Sequence, residues 1–403
     1  MSAHTNHVSA APLDKKFLTP GVKVLIAIFG VGMAFGLYRF IFGLGSMTNL
    51  SDQYPLGLWI GVDVASGVAL AAGGFTTAAL IHIFYREKYA VIGRPAHLTA
   101  MLGYTFVAIG LLFDLGRWYN VWHPALPMMW QGNSVLFEVG ICVMLYLTVL
   151  YIEFIPIVAE RFVSRSPKWI SSILEFLNRK ILGKIMWVFI ILGVVLSFLH
   201  QSSLGNLMVI APYKMHPLWY TPWLPLFFLI SAIAVGFPMV IFESIWASRS
   251  FGRKPEMEVL SPLSRIVPVL LGLYLILKIV DLFIRGAWDY AFEGTTQSTM
   301  FWLEMGLGVA VPFIMLLFQS VRKSPRLLFT AATLYVFFGV LINRVNVFFI
   351  GYQPQYKVSQ YVPRIGEFLV TIGLIAALML IYRALVTIFP ILPAHQEKAK
   401  SQS

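Results

Sequence analysis

The sequence predicts an all-α integral membrane protein of about ten transmembrane helices. Three observations predict it. Only 12% of the 403 residues are charged, about half the share found in a soluble domain. Hydrophobic residues make up 58% of the chain, and its mean hydropathy is +0.77. Ten apolar stretches are long enough to cross a hydrocarbon layer about 30 Å thick, which takes roughly 20 residues of helix. This composition excludes a soluble enzyme, a disordered chain and a secreted disulfide scaffold. The single cysteine, Cys142, excludes an internal disulfide, a Cys-ligated iron–sulfur cluster and covalent c-type haem.

The stretches are 22–42, 57–83, 97–115, 132–159, 185–201, 222–247, 263–285, 298–319, 326–348 and 364–389. They form one membrane domain over 22–389 between polar tails at 1–21 and 390–403. The first tail lacks the apolar core of a cleavable signal peptide. An even number of crossings puts both tails on one face. Twenty-one Lys and Arg fall on that face, from Lys15, Lys16 and Lys23 through Arg165, Arg179 and Lys180 to Lys398 and Lys400. Five, including Arg117, Lys357 and Arg364, fall on the other. Basic residues collect on cytoplasmic loops, so both termini are expected in the cytoplasm of a bacterial inner membrane. The net charge of +12 is then a topology signal and not a sign of nucleic-acid binding.

Two connecting regions have character of their own. The one after the fourth stretch carries Trp169, Ile170, Ile173, Leu174, Leu177 and Ile181 at helical spacing. It reads as a helix lying on the lipid surface, or equally as a structural cover. The loops opposite the tails are rich in Trp and Tyr, among them Trp118, Trp122, Trp130, Tyr213 and Trp223. They suit an aromatic belt at the lipid interface or a docking surface for an external partner.

Ionised groups inside a membrane cost roughly 2.5–3.5 kcal/mol each on insertion scales and mark functional sites by default. Eight of the 18 acids fall inside the stretches: Asp63, Asp114, Glu138, Glu153, Glu243, Asp281, Glu304 and Glu367. A structural ion pair or helix–helix hydrogen bond is the plain alternative for each. Asp63, Asp114 with Arg117, Asn133 with Glu138, and His200 sit at the outer ends of four consecutive stretches. Tyr146 and Glu153 extend that set inward. A second set echoes the first: Asp114 to Glu138 spans 24 residues and Asp281 to Glu304 spans 23. This suggests a parallel repeat in which helices 2–5 (57–201) match helices 6–9 (222–348). Arg344 stands in the second copy where the first has His200, and Lys278 can pair with Asp281.

Of eight histidines, His4, His7 and His395 are in the tails. No stretch carries two at haem-pair spacing, which argues against haem. No cluster has metal-ligand spacing. Gly32 and Gly36 read as helix packing. A wet acid–imidazole site without a redox centre suits a quinone, because quinone chemistry moves two protons with two electrons and needs proton carriers.

The strings Phe42-Gly-Leu-Gly-Ser46, Tyr54-Pro-Leu-Gly-Leu-Trp59 with Asp63, and Phe113-Asp-Leu-Gly-Arg-Trp-Tyr-Asn120 resemble the NrfD/PsrC family. So do Asn133-Ser-Val-Leu-Phe-Glu138, His200-Gln-Ser-Ser203, His216-Pro-Leu-Trp219 and Ile241-Phe-Glu243. The resemblance covers nearly the whole chain. It is strongest to the ten-helix branch, which includes the membrane subunits of nickel–iron hydrogenases (HybB) and of the DsrMKJOP sulfur-metabolism complex (DsrP). It implies a membrane subunit without haem that exchanges electrons between menaquinone or ubiquinone and a periplasmic ferredoxin-like iron–sulfur subunit, with further redox subunits alongside. On this reading Asp63, Arg117, Asn133 and His200 bound the quinone headgroup. Asp114 and Glu138 relay its protons, and Glu153 and Glu243 lie deeper on a path to the cytoplasm. Asp281, Glu304 and Arg344 are second-bundle candidates. A proton-coupled secondary transporter is the main rival, since repeats and buried carboxylates also describe that class. A purely structural anchor for redox subunits is the other.

Overall fold

The computed structural model describes residues 10–163, 167–176, 182–356 and 361–393. Arg165, Arg179, Lys180, Lys357, Lys398 and Lys400, Leu177 and Ile181 of the surface segment, and His4, His7 and His395 lie outside the described residues. Among the described residues ten helices are long and apolar enough to cross a membrane. They are α1 (Pro20–Phe42), α2 (Trp59–Ile83), α3 (Glu87–Asp114), α4 (Val135–Phe162), α5 (Gly183–Val209), α6 (Leu224–Ser250), α7 (Met257–Ile284), α8 (Thr296–Leu317), α9 (Pro325–Ile350) and α10 (Ile365–Ile388). The chain is an all-α integral membrane protein. We call the end where α1 begins and α10 finishes the tail end, and the opposite one the far end.

Two helices outrun their apolar stretches. α3 starts at Glu87, well before residue 97, and contains Pro95. α5 runs to Val209, past the polar run at 201–203. That run does not stop the helix because its polar groups bond inward to neighbouring helices. Gln201 Nε2 donates to Val68 O at 2.9 Å, and Ser203 Oγ to Glu138 at 2.6 Å. His200 therefore lies nine residues inside the end of α5, about 13 Å at 1.5 Å per residue, and not at its tip.

Three helices change winding. Trp59–Ser66 in α2, Leu303–Ala310 in α8 and Tyr335–Leu341 in α9 are π-helical. Such wide turns recur at functional sites, and two of these hold Asp63 and Glu304.

Helices α2, α3, α4 and α5 pack in that order round a shared interior, with α5 returning to α2. Helices α6 to α9 do the same, and α2 and α5 meet α6. Between helices in lipid there is little hydrophobic driving force, so close contact falls to small residues. Gly73 and Gly236 mark such a contact: a Cβ on Gly73 would lie 3.2 Å from Gly236 O. Helix α1 packs along α10, and the pair lies against α3. The short helix Lys168–Glu175 turns Trp169 and Ile173 outward.

The α1–α10 contact is the tightest test of this packing. A Cβ on Gly32 would stand 2.6 Å from Gly373 Cα and 2.7 Å from Leu369 O, whereas one on Gly30 meets nothing within 4 Å. Gly32→Leu should cost about 1–3 kcal/mol through overpacking, seen as a lower melting temperature in detergent. Gly30→Leu should leave the melt unchanged.

Candidate functional site

At the far end α1, α2, α3 and α10 gather three carboxyls. Thr371 Oγ1 donates to Asp63 Oδ2 at 2.6 Å. Gly110 of α3 leaves room for Asp63, whose Cβ would lie 2.9 Å from any Cβ added there. Glu367 is buried. It accepts from the backbone N–H of Arg364 at 3.0 Å and of Asn49 at 3.4 Å, and from the phenol of Tyr361. Burial, reinforced by the Glu367 carboxylate, holds the Tyr361 phenol above its ordinary range, so it stays a donor. Trp59 donates its indole N–H to Glu367 O at 3.2 Å.

Asp114 ends α3 within electrostatic reach of Asp63, Glu367 and Arg39. Its Oδ1 is buried and has no hydrogen-bond partner among the described residues. Arg39 is buried and donates to Phe113 O at 2.8 Å and Leu115 O at 2.5 Å. It thereby serves the carbonyls that a helix C-terminus leaves without partners.

A second polar file runs through the interior shared by α2–α5. The His200 ring is buried, with Nδ1 at 2.7 Å from Leu196 O and Nε2 bonded to the Tyr104 hydroxyl. A carbonyl only accepts, so Nδ1 carries the proton and a neutral ring accepts from Tyr104. Tyr146 stands with its ring centroid 5.7 Å from that of His200. Tyr146 and Glu153 both flank Gly193. Glu153 faces His97 Nδ1 at 3.4 Å, while His97 Nε2 lies 3.1 Å from Leu150 O. By the same logic Nε2 is protonated, which leaves Nδ1 facing the Glu153 carboxyl. Below this pair a cavity of about 270 Å³ opens at the tail end, lined by His82, Arg94, His97, Glu153 and Met186 among others.

The interior of α6–α9 holds a denser network. Glu304 is fully buried and accepts from Trp219 Nε1 at 2.9 Å, Asn346 Nδ2 at 2.8 Å and Asn343 Nδ2 at 2.7 Å. Arg344 donates to Asn343 at 2.5 Å and Ser231 at 2.9 Å, and stacks 3.7 Å over the Phe228 ring. Lys278 donates to Leu218 O at 3.1 Å within the field of Glu304 and Asp281. Asp281 takes Arg285 at 2.8 Å and Thr221 at 2.7 Å. Burial pushes the nearby His216 imidazole down, so it is neutral at pH 7 and its Nδ1 accepts from Leu218 N–H at 3.3 Å.

The residues picked from the sequence thus fall in different places. Asp63 and Asp114 share the far-end cluster. His200 lies deeper, bonded to Tyr104. Arg117 and Asn133 are exposed and bond to neither Asp63 nor His200, so these four do not surround one point. Glu138 is exposed and held by Ser203. Glu153 pairs with His97. Glu243 faces Thr99 and Tyr382 between α3, α6 and α10. Glu304 and Arg344 share one network, and Asp281 pairs with Arg285 rather than Lys278. Residues the sequence did not single out complete the sites: Arg39, Thr371 and Tyr361 at the far end, Tyr104 and His97 inside. Arg39 was the one with a signal, an arginine deep in an apolar stretch.

A haem held by histidines needs ring nitrogens free to bind iron. Both nitrogens of His97 and His200 are engaged, Nδ1 of His216 accepts a backbone N–H, and His82 is exposed at the end of α2. The histidines inside the described helices do not fit a bis-histidine haem.

Residues 49–355 match the family described as polysulphide reductase, NrfD. The chain belongs to the NrfD family. The matched NrfD region takes in α2 to α9 and leaves α1 and α10 outside it. The chain is 34% identical over 385 residues to the probable Ni/Fe-hydrogenase 2 b-type cytochrome subunit of Escherichia coli, covering 95% of each chain. It is 28% identical over 401 residues to the menaquinone reductase integral membrane subunit of Nitratidesulfovibrio vulgaris, covering 93% of this chain and 91% of that one. It is 21% identical over 404 residues to the Hdr-like menaquinol oxidoreductase integral membrane subunit of Archaeoglobus fulgidus, covering 92% and 93%.

Within the NrfD region the Glu304 network carries the sharpest stability prediction. Glu304→Leu strands three N–H donors and leaves Arg344 uncompensated. Each buried donor left unsatisfied costs about 1–3 kcal/mol, so the detergent melt should fall steeply. Glu304→Gln, which keeps the acceptor oxygen, should cost less.

Proposed function

We propose that this chain is the quinone-interacting membrane subunit of a multi-subunit respiratory oxidoreductase. It exchanges electrons between the quinone pool, menaquinone or ubiquinone, and a periplasmic iron–sulfur subunit. The observation that carries the reading is the polar file inside α2–α5. It runs from Tyr104–His200 through Tyr146 to His97–Glu153 above a cavity at the tail end, with the separate Asp63–Asp114 cluster at the far ends of α2 and α3. Two relatives are named for menaquinone and menaquinol, which supports quinone as the substrate class. Engaged histidine nitrogens support a subunit without its own haem, although the Escherichia coli relative is named a b-type cytochrome.

In this reading the far end faces the periplasm and both termini the cytoplasm of a bacterial inner membrane, as the distribution of Lys and Arg supports. The exposed Arg117 and Asn133 stand at the approach to the headgroup site, Asp63 bounds it at the far end, and His200 lies deeper, behind it. Asp114 and Glu138 exchange protons near that end. Glu153 and Glu243 continue the path toward the tail end, and turnover moves protons along it. Helices α2–α5 and α6–α9 are two copies of one unit. Asp281, Glu304 and Arg344 give the second copy a dense network of hydrogen bonds to side chains of its own helices, so its role is structural or secondary to the first.

Chemistry here consists of placing donors on the quinone oxygens and passing protons between carboxyl, phenol and imidazole groups at hydrogen-bond spacing. The exposed aromatic loop from Trp118 to Trp130 gives the partner a rigid surface.

Purification of the complex tests the reading. Bound quinone and iron–sulfur polypeptides should accompany the chain. Glu138→Gln, which keeps the contact with Ser203 but cannot carry a proton, should abolish quinone-linked turnover with assembly intact. Normal turnover in that variant sinks the relay. A solitary chain that moves a solute into vesicles favours the transporter instead.

A further inference from the structure

The two ends of the described chain are tied together at the tail end. Strand β1 (Ala10–Ala11) pairs antiparallel with β2 (Leu392–Pro393), Ala10 opposite Pro393 and Ala11 opposite Leu392. Leu13 N–H donates to Val386 O at 2.9 Å, and Leu13, Ile391 and Leu392 are buried. Three cationic side chains pin these segments by their carbonyls, and a fourth belongs to the segment itself. Arg94 donates to Pro390 O at 2.7 Å and Arg253 to Pro393 O. Arg383 donates to Lys16 O at 2.8 Å and Phe17 O at 3.1 Å. Lys15 reaches the other way, to Phe251 O at 2.5 Å.

Beneath this ribbon lies a cavity of about 40 Å³ between α3, α6 and α10. Its walls include Pro95, Glu243, Ser244, Tyr382, Leu392 and Pro393. A water needs about 10–15 Å³ of such volume and two to four polar partners. Glu243 Oε1 is buried there without a hydrogen-bond partner among the described residues. Pro95 has no N–H for the carbonyl of Val91, four residues earlier, and Val91 also lines the cavity. The space is therefore large enough to hold water and offers it acceptor oxygens of Glu243 and Val91 in a mostly apolar lining. Leu392 and Pro393, the residues of β2, form part of its wall on the tail side, beside Arg253, Lys254 and Glu256.

We propose that the paired chain ends form a latch over a water-holding cavity, and that opening the latch connects Glu243 to the solvent at the tail end. A two-residue ribbon is among the least stable elements a protein can carry, and such elements open locally at little cost. The side-chain bonds to carbonyls hold it closed without burying a large area. The latch goes beyond the quinone reading, since it depends on this geometry alone.

A reversible cross-link tests it in the full chain. Cysteines replace Ala10 and Pro393 in a Cys142→Ser background. Cα atoms of facing antiparallel residues lie about 4.5–5.5 Å apart, within disulfide range. Membranes containing the oxidised or the reduced protein are treated with a water-soluble carbodiimide and an amine, and modification of Glu243 is followed by mass spectrometry. The oxidised form should react at least tenfold more slowly at Glu243, with exposed Glu87 unaffected, and a reductant should restore the rate. Equal rates in the two states, or no reaction at Glu243 in either, would overturn the latch. The pair Ala11→Cys with Leu392→Cys gives the same comparison if the first pair does not fold or cross-link. Turnover plays no part in the readout, so its result is independent of the quinone reading.

Discussion

A charge enclosed by apolar helices has to find its partner inside the protein, because lipid supplies none. Much of this architecture answers to that constraint. Glu304 is surrounded by three side-chain donors. Arg39 is placed where α3 ends and its last carbonyls need donors. Glu367 binds two backbone N–H groups and a phenol. Some of these contacts join segments far apart in sequence, Arg39 with the end of α3 and Glu367 with Asn49, so matching charges also helps fix which helices touch. The exceptions then stand out. Among the described residues Asp114, Glu243 and Arg344 each keep a buried side-chain atom without a partner, and the two acids sit where the proposed function needs a group that can take up and release a proton.

The two helical rings spend their polar residues differently. Around α6–α9 the polar groups are dense: Glu304 collects three side-chain donors, Arg344 bonds to Asn343 and Ser231, and Asp281 pairs with Arg285, an arrangement that rigidifies. Inside α2–α5 the polar groups are strung out singly, His200 with Tyr104 and His97 with Glu153. A string of groups separated by short gaps is suited to handing protons on, whereas a closed network holds them in place.

Composition and apolar length made the ten helices legible, because each must cover the hydrocarbon thickness with its own residues. The acids worth attention were legible for the same reason: ionised groups are rare there. Their partners were not. Asp63 meets Thr371, and Arg39 meets backbone carbonyls, which leave no trace in side-chain spacing. Depth was misjudged at His200, since a polar run looks like a helix end. Gln201 and Ser203 are polar because they bond across to α2 and α4, not because the helix stops there. The π-helical turns were also hidden, as their wider winding depends on packing around Asp63 and Glu304 and not on local residue preference.

The pairing of α1 with α10 has a bearing on how the protein is made. Chains are synthesised from the N-terminus, so the first helix to enter the membrane has its most extensive contact with the last. Until α10 arrives, Gly32 faces lipid instead of Gly373, Asp63 lacks Thr371, and the Trp59 indole lacks the Glu367 carbonyl. The far-end cluster is therefore assembled only when the whole chain is present. A truncated or stalled chain holds an unsatisfied carboxyl in the membrane, a feature by which quality control could tell unfinished copies from complete ones.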